Sequence, residues 1–115
     1  MMNNKRDYDV PFHVGIEMYT SLRRLGKKVW MLEYEDEEHS LNKPENCVDY
    51  SIRMKQFFDH YLKGAPAPRW MTQGIPANLK KIETGYEPDP DGWCGKDCPV
   101  CKKLHEQSSV TSGTK

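Results

Sequence analysis

Residues Val29–Leu41 read VWMLEYEDEEHSL. Five of the first six side chains are apolar or aromatic and do not alternate with polar ones. That pattern fits a strand covered on both faces, as in a parallel sheet. Four consecutive acids follow, Glu35 to Glu38, and then a single histidine, His39. In open α/β sheets reactive groups gather just beyond the carboxyl ends of the strands, so this imidazole stands where chemistry is expected. A six-residue buried strand also needs neighbours, and the segment implies a sheet that 115 residues hardly supply.

On the amino-terminal side, Val14, Met18, Leu22 and Leu25 recur at helical spacing on one face. Pro11 suits the approach to a helix start, and Gly26 suits the position just past its end. A helix of about thirteen residues is predicted, an ordinary globular length. On the carboxyl side the helical period returns from Val48 to Leu62. Asp49, Arg53, Gln56 and His60 form a polar stripe there. Tyr50, Met54, Phe57 and Tyr61 form an apolar one, widened by Ile52, Phe58 and Leu62. Gly64 ends that helix, and Pro66 and Pro68 prevent its resumption. The Pro- and Gly-rich segment that follows is expected to wrap over a surface, with Trp70, Met71 and Ile75 as anchors. Helix, buried strand, histidine loop and second helix, in that order, are the last part of an α/β unit.

The 17 basic and 17 acidic residues cancel, and no basic stripe is present, which argues against a nucleic-acid partner. No run of apolar residues is long enough to span a membrane. The opening MMNNKRDYD lacks the apolar core of a signal peptide, and the compartment, cytoplasm or periplasm, stays open. Mean hydropathy is −0.86, lean for a self-sufficient core.

A carboxylate that accepts from one imidazole nitrogen fixes the tautomer and frees the other nitrogen to act as a base. The first loop offers two, Asp7 and Asp9. Acid loop, helix, strand and histidine loop form the second half of the Ser, Asp, His order of α/β-hydrolases.

The stretches DYDVPF, GIEMYTSLRRLGKKVWMLEYEDEEHSL and IRMKQFFDHYLKGAPAPRWMTQGIPA resemble the carboxyl-terminal end of the prolyl oligopeptidase family of serine peptidases. Within it they look most like the bacterial dipeptidyl-aminopeptidase and acylaminoacyl-peptidase branch. The resemblance runs from about Asp7 to Tyr86. It is carried in order by D-x-x-V-P, L-x-x-x-G-K-x-V, Y-x-x-E-x-H and F-F-D-x-Y-L. It implies the carboxyl-terminal part of an α/β-hydrolase domain over residues 1–86; from composition, the Cys-containing polar tail over 87–115 is expected to be largely disordered. The resemblance also implies hydrolysis of amide bonds in short or acylated peptides, without a cofactor. The family's triad aspartate falls on Asp7 and its histidine on His39. Tyr8 interrupts what is usually a pair of adjacent acids, which keeps Asp9 as the alternative. The glutamate just before the histidine is part of the family's loop, so Glu37 is expected to be structural.

The departure that matters is the nucleophile. No G-x-S-x-G occurs, and no serine precedes Asp7. The chain is therefore expected to be a fragment holding the acid and base half of an active site, inactive by itself. A peptide substrate follows only if an upstream segment completes the site. The rivals are a non-catalytic binding module and a remnant without function.

Beyond the resemblance, Cys94, Cys98, Cys101 and His105 stand at C-x3-C-x2-C-x3-H spacing. Three thiolates and an imidazole would close a tetrahedral zinc site. Structural zinc usually pairs two separated knuckles, however, and a labile disulfide or inert thiols outweigh zinc here. His13 and His60 are read as solvated helix-surface histidines, and Cys47 as a thiol near a helix start.

Overall fold

The computed structural model describes residues 1–89. The zinc candidates Cys94, Cys98, Cys101 and His105 lie outside them. The chain divides into two compact units, Met1–Tyr50 and the part from Ser51 onward.

In the first unit, helix α1 spans Phe12–Arg24, the length its apolar period predicts. Pro11 supplies the amino-terminal cap position, where its missing N–H costs nothing. The carboxyl end closes as a Schellman motif. Lys27 N–H donates to Leu22 O at 2.9 Å and Gly26 N–H to Arg23 O at 3.0 Å. Gly26 takes the left-handed φ of 69° that this closure requires.

The segment Val29–Tyr34 is extended, but its described pairing is a single parallel bridge, Met2 with Leu32. Asn3 N–H donates to Leu32 O at 3.1 Å, and Leu32 N–H donates to Met1 O at 3.0 Å. Its side chains are half-buried, not enclosed on both faces as the sequence predicts. Among the described residues, the bridge that pairs it comes from the short Met1–Asn3 run. The stripe predicted for the core of α1 is likewise open, with Val14, Met18 and Leu25 all exposed.

The one glycine buried in α1, Gly15, has a specific cause. A Cβ there would fall on the Asn3 carboxamide. That carboxamide is held, because its Nδ2 donates to Val10 O at 3.0 Å.

The second helix, α2, spans Pro44–Lys63, and the unit boundary falls inside it. From Ser51 onward its packing departs from the sequence expectation. The polar stripe faces inward: Arg53 is 6% exposed and His60 is fully buried. These side chains, with Gln56, hold the backbone of the following segment. Arg53 Nη2 donates to Thr84 O at 2.8 Å, Gln56 Nε2 to Tyr86 O at 2.9 Å, and His60 Nδ1 to Ala65 O at 2.7 Å. Met54, Phe58 and Leu62 of the apolar stripe are exposed instead. A Pro-rich segment has few regular backbone partners of its own, so polar side chains serve as the acceptors' donors and the helix turns that face toward it.

The wrapping segment is more ordered than its composition suggests. It contains a single-turn helix α3, Arg69–Thr72, and a 3-10 turn, Ala77–Leu79. Trp70 and Met71 are buried, as anchors should be, and Ile75 is half-buried. Trp70 Nε1–H donates to Gln56 Oε1 at 2.8 Å, and the Arg53 guanidinium lies over the Trp70 ring and over the Tyr86 ring, 5.5 and 5.0 Å from their centroids. Glu87–Asp89, assigned from sequence to the polar tail, are paired. Arg69 N–H donates to Glu87 O at 2.8 Å and Asp89 N–H to Ala67 O at 2.9 Å.

Gln56 thus serves two partners with one carboxamide. Replacing it with Leu strands the Tyr86 carbonyl and the Trp70 indole N–H, and about 1–3 kcal/mol of stability should be lost in thermal or urea unfolding. In the first unit, Gly15→Ala gains about 0.5–1 kcal/mol of helix propensity. Overpacking against Asn3 costs about 1–3 kcal/mol, so a lowered melting temperature is expected; a raised one would mean that Asn3 yields freely.

Candidate active site

The first loop builds an acceptor around Asp7. Its N–H donates to Asn4 O at 3.2 Å, closing a turn. Within that turn the carboxylate oxygen Oδ1 accepts from the backbone N–H groups of Asp9 and Val10, both at 2.9 Å. This is the local hydrogen bonding for which Asp is favoured in turns. Asn3 Nδ2 approaches Oδ2 at 3.4 Å. The Asp7 side chain is 5% exposed, so its charge is set by these donors more than by solvent.

His39 completes the arrangement from 32 positions away. Its Nδ1 stands 3.0 Å from Asp7 Oδ2 and 3.2 Å from Oδ1. A carboxylate already accepting N–H groups can only accept, so Nδ1 donates and the neutral ring keeps Nε2 as its free lone pair. The His39 side chain is about half exposed, at 54%. The buried acid and the open imidazole are the arrangement needed to orient a base while leaving it reachable.

The electrostatics agree with the geometry. The Val10 N–H holds the Asp7 carboxyl below its usual value, helped by His39 and the Asp9 N–H and opposed by burial. The hydrogen bond to Asp7 and the charge of that carboxylate raise His39, with a smaller contribution from Asp9 and opposition from desolvation. Between the two candidate acids, it is Asp7 that His39 meets. Asp9 is exposed and contributes its backbone N–H to the Asp7 carboxylate.

The loop carrying His39 is closed by Glu37, which is 2% exposed. Its carboxylate accepts from Asn42 N–H and Lys43 N–H at 2.9 Å each and from Asn46 Nδ2 at 2.7 Å. The first and strongest of these, from Asn42, holds Glu37 below its ordinary pKa. The bonds tie the loop to the start of α2, the structural part expected of this residue. Cys47, half-buried near that start, donates its thiol to Leu41 O at 3.4 Å.

A concavity of about 400 Å³ opens beside the pair, lined by Met1, Met2, Val10, Val14, Gly15 and Met18 together with Asn3, Asp7 and His39. Donor atoms of Asp7, Asp9 and His39 lie within 4.8 Å of one another. A cation there would compete with the Nδ1 proton and with two backbone donors already on Asp7 Oδ1.

The model of the prolyl oligopeptidase family matches residues 1–65. The chain belongs to that family. The match takes in both loops and both members of the Asp7–His39 pair. No curated protein and no solved structure matches the chain significantly. For a prolyl oligopeptidase family member, an origin among serine peptidases follows. Neither Asn3 nor Asn4 stands out in the sequence, where both sit in a start that carries no motif of its own. The Asn3–Asp7 and Asn4–Asp7 spacings of four and three residues are the spacings of turns, and that was their signal.

The pH dependence of the pair is directional. Asp7 is depressed, so its share of stability is full above 3.8 and lost as pH falls through its folded value. His39 is raised, so its share is full below 6.5 and lost as pH rises through its folded value. The stability difference between the native chain and His39→Gln should therefore be largest between pH 3.8 and 6.5 and shrink on both sides. Urea unfolding across pH checks this, and a difference independent of pH would refute the ion pair.

Proposed function

We propose that residues 1–86 are the carboxyl-terminal part of an α/β-hydrolase domain and supply the acid and base half of a serine peptidase active site. The single observation that carries this reading is the 3.0 Å contact of the buried Asp7 carboxylate with Nδ1 of the accessible His39. Family membership supports the reaction class. The order of loop, α1, extended segment and histidine loop supports the fold.

In this reading Asp7 holds the imidazole in the Nδ1–H tautomer and stabilises the imidazolium. His39 takes the proton of a serine hydroxyl through Nε2 and returns it to the leaving amine. The serine belongs to a segment outside these 115 residues, because the chain contains no G-x-S-x-G. The substrates are short or acylated peptides, as in the dipeptidyl-aminopeptidase and acylaminoacyl-peptidase branch.

The test uses the native polypeptide that contains this sequence, isolated from its source and treated with a serine-directed fluorophosphonate. A stable adduct on an upstream serine, with turnover of short peptide amides, is the expected result. His39→Ala should lower kcat by about 10²–10⁴-fold, the contribution of a general base. A native polypeptide that forms no adduct and turns over no peptide would leave the non-catalytic binding module as the better reading.

A further inference from the structure

Asn4 is 1% exposed and makes hydrogen bonds to both loops of the site. Its backbone O accepts the Asp7 N–H at 3.2 Å, which closes the turn that presents the carboxylate. Its side chain faces the other way. Oδ1 accepts from Tyr34 N–H at 3.1 Å and Nδ2 donates to Glu38 O at 2.7 Å. Tyr34 and Glu38 bracket the acidic turn, itself closed by Glu37 N–H donating to Tyr34 O at 3.2 Å. Glu38 directly precedes His39.

The orientation of this carboxamide is fixed by its partners: an N–H can only donate and a carbonyl can only accept. No other side chain of similar size meets both demands. Asp would set an oxygen against the Glu38 carbonyl, and Ala would remove this partner from two part-buried backbone groups. The backbone ladder from Met1 to Asn3 along the extended segment ends at this point, and the Asn4 side chain continues it to the histidine loop.

We propose that Asn4 is a positioning residue for the acid–base pair, its carboxamide and backbone carbonyl together setting the distance between the turn that carries Asp7 and the loop that carries His39. The inference rests on the reading of Asp7 and His39 as that pair. It assigns Asn4 no contact with substrate.

The test is an NMR titration of the His39 imidazole in the full chain, in Asn4→Ala, in Asp7→Asn and in the double variant. Besides Asp7, the charged group that acts on His39 is Asp9, which is the same in all four proteins. In the native chain His39 should titrate above its ordinary value, and Asp7→Asn should bring it down. Asn4→Ala should move it in the same direction, and should add nothing once Asp7 is already replaced. A role in stability alone would lower the melting temperature of Asn4→Ala and leave the His39 titration where it was. That result, with Asp7→Asn still shifting the titration, overturns the positioning role and spares the pair. If Asp7→Asn also fails to shift it, the pair itself is uncoupled and both readings fall. Should Asn4→Ala not fold, amide exchange in the native chain decides: slow exchange of the Tyr34 N–H supports the clamp, and exchange at an unprotected rate overturns it.

Discussion

The first unit depends on one carboxylate being satisfied from two directions. Asp7 takes two backbone N–H groups from its own turn and the Nδ1–H of a histidine 32 positions on. Ordering a loop costs conformational entropy, and a solvated aspartate has little reason to hold one geometry. The backbone donors fix the Asp7 carboxylate independently of His39, so the imidazole contacts a carboxylate whose orientation its own turn already sets. Pre-arrangement of this kind separates an acid that orients a base from a surface ion pair, whose contribution to stability is small.

Carboxylates and carboxamides do the same work elsewhere in the chain. Glu37 gathers three donors around the start of α2, Asn4 joins two loops, and Gln56 joins a helix to the segment that wraps it. Each side chain bonds groups that regular secondary structure would otherwise pair, in places where the chain is irregular. Buried polar side chains that are fully bonded fix one conformation, because alternatives leave a donor or acceptor without a partner. The site is therefore positioned by hydrogen bonds more than by a surrounding apolar core.

The legible parts of the sequence were those governed by local rules. Helix α1 was readable to its ends because Pro11, Gly26 and a four-point apolar period mark them. His39 was readable from its place beyond a strand and Asp7 or Asp9 from the first loop; the resemblance favoured Asp7, and Asp7 is the one that His39 contacts. Burial was read poorly. Periodicity ranks the faces of a helix by polarity, but a polar face can be the buried one when the neighbouring segment offers carbonyls. His60, read as solvated, is enclosed because Ala65 O accepts from its ring. No pattern of hydrophobicity signals that a glutamine will bond a tryptophan fourteen residues away.

The apolar residues carry the complementary information. Among the described residues the buried aliphatic and aromatic side chains are Ala67, Trp70 and Met71, all in the wrapping segment. Val14 and Met18 on α1, and Met54, Phe58 and Leu62 on α2, keep the spacing of packed faces while remaining exposed. An amphipathic helix in water gains little from its propensity and most of its stability from covering such a face. Scattered exposed apolar side chains are ordinary on a protein surface, whereas a helical stripe of them is a face with a geometry to match. On α1 that stripe adjoins the concavity that also reaches Asp7 and His39, so any segment covering Val14 and Met18 would also limit the water reaching the pair. Excluding that water would strengthen the hydrogen bond between His39 and Asp7. The same coverage would therefore stabilise both α1 and the Asp7–His39 contact.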